Sequence, residues 1–262
     1  MDDPEINGDA VDSEAEAPEK PRYIGVIELL ILIAVSLFLI EMPSARLRVT
    51  KLLAAYAILL PIHLLPFYIL GRCAHITVEQ VAFFMGGALL RWRQGQTWFS
   101  VGWWPIGGFV RFKGMRSDVA TPAVGTWPSA ARFTRVFNCL SGPLALCIFS
   151  LIVLGSFAFE ENLRQTPQQV RDFLADSKRS TKQFLHFVDS APMPALLGAC
   201  GVKLMIANTL PLPLLNGGQA IIELFNLRKH RRALGYLELL SLLLILASFI
   251  YLVYSAARAL RA

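Results

Sequence analysis

Residues 52–70 read LLAAYAILLPIHLLPFYIL, nineteen positions in which only His63 and the prolines Pro61 and Pro66 break an apolar run. A bilayer's hydrocarbon core takes about 20 apolar residues in a helix, so this stretch is predicted to span one. Proline inside a helix removes a backbone bond and kinks it, which membrane helices tolerate when neighbours re-satisfy the freed carbonyl. An imidazole in the middle of such a run needs a polar partner or a cavity.

Working outward, four more apolar stretches are predicted. One covers 23–40 and closes at Glu41 and Pro43, and another covers 136–157. A third begins near Pro194, is interrupted by Pro211 and Pro213 and resumes over 217–225; the last covers 234–254. With 55% hydrophobic residues in 262, the composition is too apolar for an ordinary soluble domain. The expectation is an all-α membrane protein with about five transmembrane helices, integral and multi-pass.

The segment 76–115 reads differently. Residues 88–93 and 97–101 flank Gln94-Gly95-Gln96 as a hairpin would, and 107–112 adds a third strand with partial alternation. Trp92, Trp98, Trp103 and Trp104 crowd this segment, as aromatic side chains do at the lipid–water boundary. A β-rich re-entrant loop is therefore expected here. Residues 159–189 are polar overall, but Val170, Phe173, Leu174, Ser177, Thr181, Phe184, Leu185 and Val188 share a helical face. That pattern predicts an amphipathic helix lying on the membrane or on the bundle.

Charge is unevenly placed. Residues 1–20 carry eight acidic side chains and one lysine, leaving 24 basic and 11 acidic residues for the rest of the chain. Residues 1–21 read as a disordered acidic tail, with 22–262 forming one transmembrane domain. The tail lacks the basic start of a signal peptide, so 23–40 is expected to remain as an extra N-terminal helix. The basic remainder suits anionic lipid, and no nucleic-acid module stands out. Arg and Lys clustered in 72–135 and 228–232 place those loops, and the tail, on the cytoplasmic side. Arg46, Arg48 and Lys51 then face outward, against the rule. Cys73, Cys139, Cys147 and Cys200 form no C-x-x-C pair and read as small hydrophobes.

Four motifs in order carry a resemblance to the site-2 protease family of intramembrane zinc metalloproteases, over roughly 52–257. His63 stands at the first His of H-E-x-x-H, and 107–110 matches a G-G-[YF]-V segment closing the family's β-loop. Ser141-Gly142-Pro143 matches small-G-P, and 208–218 matches N-x-x-P-x-P-x-L-D-G-G at every marked position but one. The resemblance implies a site-2-protease-like core. It also implies binding of an extended substrate at the β-loop by strand addition, with Trp98, Gly107, Gly108 and Phe109 as partner-binding candidates.

The departures are systematic. Leu64 stands where the family's general-base Glu would be, Phe67 where the second His would be, Asn216 where the Asp ligand would be, and Leu146 where small-G-P continues to Asn. Two imidazoles at i and i+4 share a helix face and reach one Zn²⁺, and a distant carboxylate completes a three-ligand site open to water. Losing an imidazole and the anion removes much of a binding free energy that reaches about 10–16 kcal/mol in structural sites. Cys73 and His75 lie ten and twelve residues beyond His63, about 15–18 Å along a helix, too far to replace the missing ligands unless the chain folds back.

No catalytic residue, metal or cofactor is thus expected, with His63 and Asn216 as vestiges. The chain would be a pseudoprotease, not an enzyme, that binds or regulates a membrane protein or peptide in a lipid setting. The alternatives are an active zinc metalloendopeptidase with rearranged ligands, which would need zinc, and a transport or structural subunit. His63, Lys203, Asn208 and Asn216 are candidates to line a polar cavity. Lys203 sits in an apolar run and either points inward to His63 and Asn216, snorkels to the interface, or pairs with Glu28.

Overall fold

The computed structural model describes residues 43–115, 123–229 and 231–260. The expected acidic tail, the helix 23–40 and Glu28 lie outside those residues.

The run that opened the sequence reading forms helix α1, Pro43–Cys73, with Pro61 and Pro66 inside it. Two strands follow, β1 (Val78–Gln94) and β2 (Thr97–Phe112). After a short 3₁₀ turn at Trp127–Ser129 come α2 (Arg132–Ala175), α3 (Ser177–Ser190), α4 (Met193–Thr209) and α5 (Asn216–Leu224). A second turn, Leu227–Lys229, leads to α6 (Arg231–Leu260). Among the described residues two helices, over Arg46–Cys73 and Arg132–Ala175, are long and apolar enough to cross a membrane. The apolar parts of α4 and α6 are shorter, so the expected number of about five spans is not reproduced.

The predicted strands are longer than expected and doubled back. The antiparallel pair bends so that 80–83 registers with 108–111 on one side and with 98–101 on the other, while 91–94 registers with 97–100. Gly95 takes φ +62° in the turn between the strands, a left-handed conformation that glycine adopts without a Cβ penalty. The sheet leans on α1 along its length. Phe112 packs against Gly71 near the helix end, and Gly107 reaches Tyr56 about 22 Å farther back along the axis. The core here joins Phe67, Val78, Val81, Phe99, Phe112 and Trp127.

Helix α2 runs past the predicted end at 157, but its backbone breaks at Gly155, φ 74°. Its second arm carries the first part of the predicted amphipathic stretch. Asp176 then caps α3 by accepting from the Arg179 N–H at 3.0 Å, which splits that stretch in two. Thr181 and Val188 are buried, and Thr181 shares a 2.9 Å hydroxyl contact with Ser255 of α6. Helix α3 therefore lies on the bundle, the second of its two predicted places.

Two of the cations that open α1 find a local use. Arg48 grips Asp189 with Nε and a terminal nitrogen at 2.8 and 2.7 Å, and Lys51 donates to the carbonyls of Val188 and Asp189 at 3.0 Å each. These are the last carbonyls of α3, where a helix leaves acceptors unpaired and a cation is favoured.

Candidate active site

Helix α1 presents His63 toward the start of α5. The imidazole is 8% exposed, and its Nε2 lies 3.0 Å from Asn216 Nδ2. Asn216 Nδ2 is also 3.5 Å from Asn208 Oδ1, and Asn208 Nδ2 donates to the Leu204 carbonyl at 2.8 Å. This amide orientation is the one that keeps the two asparagine oxygens apart. Asn216 then donates to a bare Nε2, and the ring proton falls on Nδ1, a buried atom facing the backbone at Gly142. His63, Asn208 and Asn216 are thus brought together.

Lys203 is not with them. Its Nζ donates to Gln169 Oε1 on the second arm of α2. The inward reading is corrected: the second arm of α2 supplies an exposed acceptor for the lysine, and the Glu28 alternative lies outside the described residues.

The motif glycines have a packing reason. A Cβ on Gly142 would lie 2.6 Å from the His63 carbonyl oxygen and 2.7 Å from its Nδ1, so small-G-P lets α2 touch α1 at the histidine. Gly217 and Gly218 meet the backbone of 209–213, the Pro-interrupted link that turns the chain from α4 into α5. Asn138 donates to the Phe67 carbonyl at 3.2 Å, between the same two helices.

Phe67 and Leu64 are both buried. Phe67 keeps the i+4 place on the His63 face and sets its ring edge-on to the imidazole, centroids 5.4 Å apart. Leu64 turns to the sheet, where Gly108 rests on its side chain and on Leu60. The β edge therefore touches the residue next to His63. Gly107 N–H is held there by the Tyr56 hydroxyl at 2.8 Å, a contact that sequence reading did not single out. Phe109 on the same strand is partly exposed, whereas Trp98 stands elsewhere in the sheet, under the guanidinium of Arg91.

Zinc asks for three or four donors drawn from Cys, His, Asp and Glu. The cluster offers one imidazole nitrogen, already bonded, and two neutral amides. Among the described residues no three His, Cys, Asp or Glu side chains stand close enough to hold a metal ion. The residues at positions 63, 64, 67 and 216 do not fit the family's zinc.

Sequence reading missed Glu223, which is 2% exposed at the end of α5. Its carboxylate accepts from Trp127 Nε1 at 2.9 Å, Arg135 Nε at 2.7 Å and Arg228 Nε at 2.7 Å. Arg135 also donates to the carbonyls of Pro128 and Ala130, and Arg228 to that of Met115. A lone glutamate in the apolar run AIIEL, with spare arginines at both flanks of the bundle, was the available signal.

The profile of Peptidase family M50 matches residues 51–250, so the chain belongs to that family, the site-2 proteases. It is also 28% identical over 109 residues to a Clostridium acetobutylicum protein whose name reads "Putative zinc metalloprotease". That match takes in 42% of this chain and 32% of the relative, so the chain spans about a third of the relative's length. Site-2 proteases are embedded in membranes.

These findings overturn the expectation that the chain is not an enzyme. Family and relative both point to a protease, and degenerate motifs alone are no positive sign of an inert one. The expectation of no cofactor loses its support as well, because the family depends on zinc.

Proposed function

We propose that this protein is a multi-pass intramembrane endopeptidase that takes a transmembrane polypeptide as an extended strand along 107–111 and acts on it beside His63. The observation that carries the reading is the seat of that edge. Gly107 is pinned to Tyr56, and Gly108 lies on Leu64, one residue from the polar cluster.

Strand addition supplies affinity through main-chain bonds, and glycines at 107 and 108 let a second backbone come close. Asn208, Asn216 and His63 offer amide and imidazole groups where an unwound peptide in hydrocarbon needs them most. Hydrolysis is the activity the family supports. A metal assisting it would need ligands other than residues 63, 67 and 216. The acidic tail is read as cytoplasmic, with the basic loops 72–135 and 228–232 on the same side.

The test uses the full chain in nanodiscs with a transmembrane peptide bearing a photo-reactive residue at mid-span. Crosslinks to Phe109 and its neighbours, lost when Gly108 is replaced by Val, support the edge; crosslinks confined to other surfaces sink it. Fragments of the peptide, suppressed by a chelator and restored by zinc, support hydrolysis; an intact peptide after prolonged incubation with zinc rejects that part.

A further inference from the structure

The sheet has a second edge, residues 88–94, at which the peptide reading places nothing. All of 88–96 is exposed, and Leu89 and Leu90 are 69% and 58% open. Successive strand residues point to opposite faces, so two adjacent leucines this exposed mean that neither face of the edge is covered.

The register gives this edge a direction. Val78 pairs with Phe112, which packs on Gly71 near the Cys73 end of α1. Thr97 bonds the Val78 carbonyl at 2.8 Å, so the turn between the strands is level with that helix end. The opposite end, where Ala88 pairs with Gly102 and Met85 with Trp104, reaches back toward Gly107 and Tyr56, well inside the span of α1. From Ala88 to Gln94 the strand climbs about 20 Å. It passes Leu89 and Leu90 first, then Arg91, Trp92 and Arg93.

That order, apolar and then aromatic and cationic, is the order of one membrane leaflet from acyl chain to phosphate. Arg91 lies over the Trp98 ring at 4.4 Å and Arg93 over the same ring at 5.6 Å. Stacking on one face leaves most guanidinium N–H groups free; Arg93 Nε alone bonds the Gly95 carbonyl, at 2.9 Å. Among the described residues neither arginine forms an ion pair. The two strands together hold three arginines against one glutamate, Glu79.

We propose that the edge 88–94 is an anionic-phospholipid site, with Arg91 and Arg93 on the lipid phosphate and Leu89 and Leu90 among its acyl chains. An acidic peptide laid along the same edge is the rival. It would have to leave the leucines bare on both faces, whereas a lipid layer covers them. The inference does not depend on peptide binding at 107–111.

The experiment places the full chain in phosphatidylcholine nanodiscs and adds phosphatidylglycerol with brominated acyl chains, or brominated phosphatidylcholine as the zwitterionic control. Tryptophan quenching is the readout. The expected result is a preference for phosphatidylglycerol of about five-fold per arginine, lost in R91Q/R93Q and kept in R91K/R93K. The preference should also collapse between 0.1 and 0.5 M salt as the Debye length shrinks. Equal quenching by both lipids in the wild type overturns the proposal, as does a preference that survives either R91Q/R93Q or high salt. Should R91Q/R93Q not fold, the salt series on the wild type still decides. An acidic peptide that binds in neutral lipid and is released by R91Q/R93Q, with lipid preference unchanged, also overturns it.

Discussion

Replacing Glu223 by alanine removes one carboxylate and strands two arginines and an indole N–H. The carboxylate is buried, and Arg135, with 14% of its side chain exposed, is nearly so. Breaking such a pair from one side is worth about 3–5 kcal/mol of stability. Arg228 differs, since 37% of its side chain is exposed and solvent screens its half of the contact. Arg228→Ala should therefore lose only about 1 kcal/mol. Thermal and denaturant unfolding in detergent, followed by circular dichroism, gives both numbers. Limited proteolysis should find new cuts near Met115 and Pro128 in Glu223→Ala, because both carbonyls are held by the stranded arginines. The double change Glu223→Leu with Arg135→Leu should recover part of the loss, since the buried half of the ion pair is then apolar, while Arg228, 37% exposed, is left to solvent and the Trp127 N–H stays without its acceptor. Equal losses for Glu223→Ala and Arg228→Ala would refute the assignment of Glu223 as the buried hub.

Three further outcomes are expected. Gly142→Ala drives a methyl into the His63 backbone and ring; helix propensity favours alanine by about 1 kcal/mol, yet overpacking of about 1–3 kcal/mol should win. A raised melting temperature would show that α1 and α2 part freely. Tyr56→Phe leaves the Gly107 N–H without its hydroxyl acceptor, which should lower stability by about 1 kcal/mol and weaken peptide crosslinking at Phe109; unchanged crosslinking counts against the anchor. The Arg48 guanidinium, through its hydrogen bonds, holds the Asp189 carboxyl below its usual range. A depressed carboxyl stabilises the fold above its unfolded pKa, and that contribution is lost as pH falls through the folded value. Acid unfolding of the wild type should thus steepen below about pH 4, and Asp189→Asn should remove that part of the dependence.

Much of this molecule is legible from its sequence because lipid rewards simple patterns. Apolar runs of span length located the cores of α1 and α2, and the small-G-P and Asn-to-Gly-Gly motifs located the contacts at His63. Those motifs are local, and their glycines answer to backbones meeting at one point. The sheet was only half legible. Alternation near Gly95 revealed the turn, but nothing local specifies that 80–83 should serve two neighbours at once, which depends on α1 offering Tyr56, Leu60 and Gly71 as a wall. Lys203 and Glu223 were misjudged or missed for a related reason. Each is an ionisable residue in an apolar run, and its partner lies 34 or 88 residues away in sequence. Motif loss at 64, 67 and 216 takes away three side chains that could bind or use zinc, yet it did not by itself establish the absence of activity.

Gly155 takes a left-handed backbone, and beyond its own stretch of chain no atom lies within 4 Å of where its Cβ would be. The bend is therefore set by the chain itself and not wedged open by a neighbour. It acts as a free elbow, swinging the polar forearm of α2 back until Gln169 accepts from the ammonium of Lys203. A cation set in an apolar helix thereby gains a polar partner. An alanine at the elbow would not clash; it would straighten the limb and leave the lysine bare.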